Sequence, residues 1–326
     1  MSTSAPARNR DPDEREDTAR ALSGSRHVGD RVFAGAAVIA GLLILVTLAG
    51  VTGFLVYEGY PALVADPKEL PGGEGFLSFV APLLFGTVLA ALIALVVAVP
   101  LSIGIALFIS HYAPRRVAST LGYLVDLLAA IPSVVYGLWG IFFLAPQLVP
   151  TYVWLQENVG FIPFFAGPAS ATGRTMLTAG LVLAVMVLPI MTAVNREVFL
   201  QTPRLQEEAS LALGATRWEM IRMTVLPFGR SGIISGAMLG LGRALGETIA
   251  VALVLSPSDV ITVNLIGPVN TSTVAANIAL NFPESSGIAV NALIASGLAL
   301  FVLTFLVNFA ARAIIARRRE FSGANA

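Results

Sequence analysis

The sequence predicts an all-α polytopic membrane protein with six spanning helices, on three observations. The chain is 56% hydrophobic and only 12% charged, where an ordinary soluble domain is about 25% charged. No charged residue occurs from 32 to 57 or from 75 to 110, and about 20 apolar residues suffice to cross a bilayer core. Mean hydropathy is +0.80 across all 326 residues.

In chain order, residues 1–31 carry charges of both signs among small polar residues and hold no apolar run. They are expected to be a disordered cytoplasmic arm. The first apolar run begins too late and is too long for a signal-peptide core, so it is expected to be a retained span. The six spans are placed at 32–57, 79–109, 122–148, 175–195, 231–255 and 287–311, inside a six-span membrane domain of residues 32–311. Residues 312–326 form a basic tail. Stretches 160–173 and 260–282 are charge-free but rich in Gly, Pro, Ser, Thr and Asn. They read as external loops with interfacial or re-entrant elements, a seventh span through 260–282 being the alternative. Pro100, Pro132 and Pro189 fall inside predicted spans, either as packing kinks or as pathway-lining bends.

Charge sets the orientation. Of 20 basic residues, 17 fall in the N-terminal arm, the 115–116 loop, the 196–230 loop and the tail. Lys68 and Arg174 lie in the opposite loops, and Arg243 lies within a span. Positive loops stay inside, so both termini are expected in the cytoplasm of a plasma membrane. Cysteine is absent, and the two histidines, His27 and His111, are far apart. No metal site, catalytic constellation or nucleic-acid-binding feature is expected. There is no G-x-x-x-x-G-K-[ST] motif, so the chain has no P-loop and no nucleotide cofactor of its own.

Loop 196–230 does not have the composition of a linker. Thr202 and Pro203 resemble a helix start, Glu207 and Glu208 lie where the helix dipole favours acids, and Leu205, Ala209 and Leu213 recur every four residues. Gly214 is expected to end this helix in a left-handed conformation, and "TRWEMIRMTVLP" to begin another. Two short helices with a tight turn make a rigid projection suited to docking.

The fifth span poses the sharpest question. In "GIISGAMLGLGRALGETIAVALVL", Gly232, Gly236, Gly240, Arg243 and Glu247 would share one stripe of a continuous helix. Small residues at four-residue spacing favour close helix packing. A mid-span Arg costs roughly 2.5–3.5 kcal/mol and an acid a similar amount, against a gain of about 3–6 kcal/mol from the span's Leu, Ile and Val residues. A structural Arg243–Glu247 pair is one reading. The other is a pathway for an anion, since a guanidinium fork matches two oxygens of an oxyanion. Asp126 is a weaker candidate, read as an interfacial anchor.

Glu208, Ala209, Gly214, Leu226 and Pro227 match the spacing of a motif in the membrane subunits of ATP-binding-cassette importers, with Ser210 and Thr224 departing from it. "AAIPSVVYGLWGIFFLAP" and "GLGRALGET" resemble the phosphate-importing branch of that family over residues 30–315. The resemblance implies the six-span importer-permease fold, with Glu207, Glu208, Ala209 and Gly214 in a coupling helix against an ATPase. It also implies phosphate passing Arg243 and Glu247, a second permease, an ATPase dimer that binds Mg-ATP, and an external phosphate-binding protein. A secondary anion transporter and a permease for another oxyanion are the alternatives.

Overall fold

The computed structural model describes residues 28–258 and 260–319, with side chains undescribed at 28, 30, 31 and 314–319. The arm expected to be disordered lies, up to residue 27, outside the described residues, as does the tail beyond 319. The chain divides into two units, Met1–Phe54 and Leu55–Ala326. Helix α1 (Val28–Val64) begins in the first and ends in the second. The elements that follow are described within the second unit.

Five helical segments are long and apolar enough to cross a membrane: Val32–Val64, Phe76–Tyr112, Ser133–Val159, Met176–Leu200 and Ile288–Ala313. They contain α1, α2 (Phe76–Leu107), α4 (Ser133–Trp139) continuing into α5 (Ala145–Val159), α6 (Met176–Leu200) and α12 (Ile288–Arg319). The remaining expected span is α9 (Leu226–Leu245). Its 20 residues reach about 30 Å at 1.5 Å per residue, although Arg230 and Arg243 lower its hydropathy.

Two expected spans are placed differently. The third does not run through 122–148. Residues Arg115–Ala129 form a separate amphipathic helix, α3, and the crossing helix starts only at Ser133. Pro132 is the break: it sits in extended backbone as the N-cap of α4, not within a helix, and proline disfavours helical geometry in the residue before it. The fifth span is not continuous through 231–255. Helix α9 ends at Leu245, Gly246 forms its C-cap, and a short helix α10 (Ile249–Val254) follows.

Residues 260–282 do not form a seventh span. They contain only α11 (Val274–Asn281) as a full helical element, about 12 Å long at 1.5 Å per residue. A two-residue parallel pairing ties Pro257–Ser258 to Asn270–Thr271. The backbone of this strap finds its partners in other loops: Leu265 N–H donates to Phe164 C=O at 2.9 Å, and Ser170 N–H to Ile266 C=O at 2.8 Å. Asn270 accepts from Met176 N–H and donates to Arg174 C=O. Irregular backbone at a membrane needs such satisfaction within the protein. Arg174 Nη2 donates to Leu255 C=O at 2.9 Å, anchoring the end of α10.

The core forms where small residues let helices approach. Ala90, Ala91, Ala94 and Ala98 of α2 are buried with Met176, Ala179, Leu183, Met186 and Val187 of α6. Gly232, Gly236 and Gly240 of α9 are also buried, against α6. A Cβ at Gly232 would collide with Val198, one at Gly236 would come 3.1 Å from Asn195 Oδ1, and one at Gly240 would come 2.6 Å from Met191 Sδ. Helix α10 packs on α4 in the same way: a Cβ at Gly137 would meet Ala250 Cα at 2.9 Å. A second cluster joins the end of α2 (Ala106, Leu107) and Phe199 of α6 to Met220, Ile221 and Val225.

Gly232→Val is expected to destabilise by about 1–3 kcal/mol through overpacking against Val198. Melting of the detergent-purified chain checks this, with Gly104→Ala as the comparison. Nothing lies within 4 Å of a Cβ at Gly104, so that substitution is expected to leave melting unchanged or slightly raised.

Candidate functional site

The site has two parts, a projecting helical hairpin and a basic cavity on α9. In the hairpin, helix α7 (Arg204–Ala212) buries none of its residues. It starts one residue later than expected, with Pro203 rather than Thr202 as its N-cap. Thr202 is buried instead, its N–H donating to Phe199 C=O. The stripe of Leu205, Ala209 and Leu213 faces outward, and Leu213 is 90% exposed. Glu208 and Ala209 are exposed beside it. Gly214 has φ +90°. Nothing lies near a Cβ placed there, so the glycine serves backbone geometry, not close packing.

Glu207 has a different environment from Glu208. It is half-buried and turns back toward α2, with Oε1 3.4 Å from His111 Nε2. His111 Nδ1 is 2.7 Å from Ser110 Oγ. Glu207 therefore ties the projecting helix to the end of α2, while Glu208 and Ala209 remain available at the surface.

Helix α8 (Arg217–Met220) completes the hairpin with a capping box. Thr216 Oγ1 accepts from Glu219 N–H at 3.3 Å, and Glu219 Oε2 accepts from Thr216 N–H at 2.8 Å. These bonds satisfy donors that a helix start leaves open. Thr216's backbone N–H, followed by its hydroxyl, holds the Glu219 carboxyl below the usual carboxylate range. Met220 and Ile221 then anchor the hairpin on Phe199, and one wide turn (Ile221–Val225) leads directly into α9.

The basic cavity, of about 500 Å³, is lined by Arg243, Ser235, Met238, Leu239 and Gly242 of α9 together with Asn308 and Arg312 of α12. Arg243 is partly buried and has no carboxylate within 4 Å among the described residues. Among the described residues, no acid lines the cavity. Ser235 donates to Ser231 C=O and Asn308 to Thr304 C=O. This leaves the two guanidiniums as the principal free donors. The space could hold a small oxyanion between two forks.

Glu247 does not share this cavity. The end of α9 at Leu245 takes it off the glycine stripe, and its Oε1 accepts from Ala250 N–H at 3.1 Å, capping α10. An acid at a helix start satisfies an open donor and meets the positive end of the dipole. Sequence reasoning missed Arg312, Ser235 and Asn308. Arg312 was grouped with the tail because the chain carries no marker of how far α12 continues. Asp126 lies 3.7 Å from Arg196 and is half exposed.

These features define a polytopic helical membrane protein with a projecting helical hairpin. The profile of the family "Binding-protein-dependent transport system inner membrane component" matches residues 98–320. The chain belongs to that family of multi-pass inner-membrane proteins. The phosphate transport system permease protein PstC 2 of Mycobacterium tuberculosis is 48% identical over 298 residues, covering 88% of this chain and 91% of that protein. PstC of Mesorhizobium japonicum is 39% identical, covering 90% and 92%. A crystal structure of a bacterial ABC transporter that imports the acidic polysaccharide alginate superposes with TM-score 0.55 at 16% identity, covering 87% of this chain and 96% of that one. Family membership favours a binding-protein-dependent permease over a secondary transporter.

Thr216→Ala is expected to speed amide exchange at Glu219 and Met220 several-fold by removing the cap. Acid should likewise lower the protection factors of these amides in the wild type, once the intrinsic slowing of exchange at low pH is divided out. The Glu219 carboxyl is lowered in the folded hairpin, so its contribution is fully present above the ordinary carboxylate pKa and is lost as pH falls through the lowered one. Protection factors, corrected for intrinsic exchange and measured from pH 7 down to pH 3, check the sign.

Proposed function

We propose that the chain is the PstC-like permease subunit of an ATP-driven importer of inorganic phosphate, and that Arg243 meets the anion within the membrane. The observation carrying this reading is the cavity of about 500 Å³ that Arg243 and Arg312 both line, with no acid among the described residues that line it. Phosphate at neutral pH offers two or three oxygens to bidentate donors. The names of the relatives, phosphate transport permeases from several bacteria, point to the same substrate.

In this reading both termini and the α7–α8 hairpin face the cytoplasm, in keeping with the side carrying most basic residues. The exposed Leu205, Leu213, Glu208 and Ala209 dock on one copy of a PstB-like ATPase dimer, which binds Mg-ATP. Gly214 sets the turn, and Glu207 keeps α7 in register with α2 through His111. A PstA-like second permease completes the path, and a PstS-like binding protein delivers phosphate from outside. ATPase closure pushes the hairpin. Because the hairpin runs into α9, the motion reaches Arg243 as rigid-body displacement and exposes the cavity to each side in turn. Glu247 contributes by holding α10 against the break that follows Arg243.

Arg243→Lys in the reconstituted complex is expected to lower phosphate uptake at least about tenfold, since one ammonium cannot replace a planar fork, while assembly and ATP hydrolysis persist. Normal uptake would remove the bidentate argument, and lost assembly would make Arg243 a packing residue.

A further inference from the structure

A second basic cavity, of about 480 Å³, lies at the end of the bundle that carries the hairpin, away from the Arg243 cavity. Arg115 opens α3, Arg196 lies near the end of α6, and Arg204 opens α7; all three line this cavity, with Ser110 and Ser119 between them. Among the described residues, the only carboxylate in the lining is Asp126, half exposed and 3.7 Å from Arg196. At that distance and exposure it offsets one guanidinium weakly. Arg115 and Arg204 have no carboxylate within 4 Å among the described residues. Three forks against one acid leave a net positive site.

The arrangement is built into the packing. Gly122 of α3 is buried, and a Cβ there would collide with the Arg196 guanidinium. The missing side chain lets Arg196 lie across α3 into the cavity. Beside it, α3 exposes Tyr123 (75%) and Leu127 (66%). An amphipathic helix with an uncovered apolar face lies in the headgroup boundary of a bilayer, and basic pockets between helices at that depth attract anionic headgroups.

We infer that Arg115, Arg196 and Arg204 form a binding site for a phosphate-class anion, supplied by an anionic phospholipid headgroup or by free phosphate, which cross-links α3, α6 and the start of the hairpin helix α7. The apolar face next to the cavity favours the lipid source, since acyl chains have Tyr123 and Leu127 to lie against. Bound there, the anion joins the last turns of α6 to the first residue of α7 and steadies the hairpin.

The test uses the full-length chain purified in neutral detergent and titrated by calorimetry with short-chain phosphatidylglycerol, the matching diacylglycerol and inorganic phosphate. The phosphate titration is run on Arg243→Gln, so that the α9 cavity does not contribute. Phosphatidylglycerol is expected to bind at least about tenfold more weakly to Arg115→Gln/Arg204→Gln, the loss expected for removing charge-assisted bonds. Asp126→Asn, which removes the competing acid, is expected to bind several-fold more tightly. Diacylglycerol should not distinguish the variants. If inorganic phosphate shows the same dependence on both substitutions, the site stands with free anion as its source. Phosphatidylglycerol and phosphate affinities unmoved by either substitution, or a loss that diacylglycerol shares, would overturn the inference.

Discussion

An unpaired guanidinium within an apolar helix is the constraint around which α9 is organised. Arg243 lies in the last turn of α9, where the helix dipole favours a cation. A charge on an apolar helix in a membrane still carries a desolvation cost, and no carboxylate within 4 Å offsets it among the described residues. The surrounding structure accommodates it in two ways. Gly232, Gly236 and Gly240 seat the preceding turns tightly on α6, so the helix bearing the charge is well packed on one side. The opposite side opens into a cavity where a second guanidinium, Arg312, arrives from α12. Two like charges facing one space without an acid repel each other, and an anion between them relieves both.

The hairpin and the cavity are parts of one mechanical element. Met220, Ile221 and Val225 are buried on Phe199 and Leu107, so the base of the projection is fixed while its outer face, Leu205 through Leu213, stays open. From that base the chain enters α9 within a single turn. No flexible linker separates the exposed face of the hairpin from the charged cavity. Gly214, held at positive φ, gives a sharp corner between α7 and α8, and the capping box at Thr216 prevents the second helix from fraying. Glu207, turned inward on His111, adds a connection to α2 that the outward-facing Glu208 lacks.

Much of this was legible in the sequence because its causes are local. Charge-free runs mark spans, and the 208–227 spacing marks a hairpin whose corner requires a glycine. The glycines of α9 announce a packing seam by their spacing alone. What was not legible depends on where a helix stops. "GRALGETIAV" has no proline, and its two glycines, Gly242 and Gly246, do not by themselves end a helix in a span already rich in glycine, so an unbroken helix places Glu247 on the Arg243 stripe. The break at Gly246 is fixed by α10 packing on Gly137 and by Arg174 holding Leu255, contacts with residues some 80 to 110 positions away. The helix start at Ser133 was readable, since Pro132 marks it, but the apolar character of α3's outer face masked the change from interfacial to crossing helix. Arg312 was hidden for the opposite reason, because α12 continues without a sequence signal into what reads as tail.

The most direct measurement of the central claim is protection of individual arginines from a guanidinium-specific dicarbonyl reagent in the assembled complex, read by peptide mass spectrometry. Phosphate is expected to slow modification of Arg243 and Arg312 together, with chloride at equal ionic strength having no effect and Arg230 unprotected throughout. Modification of Arg243 at the same rate with and without phosphate would contradict the account.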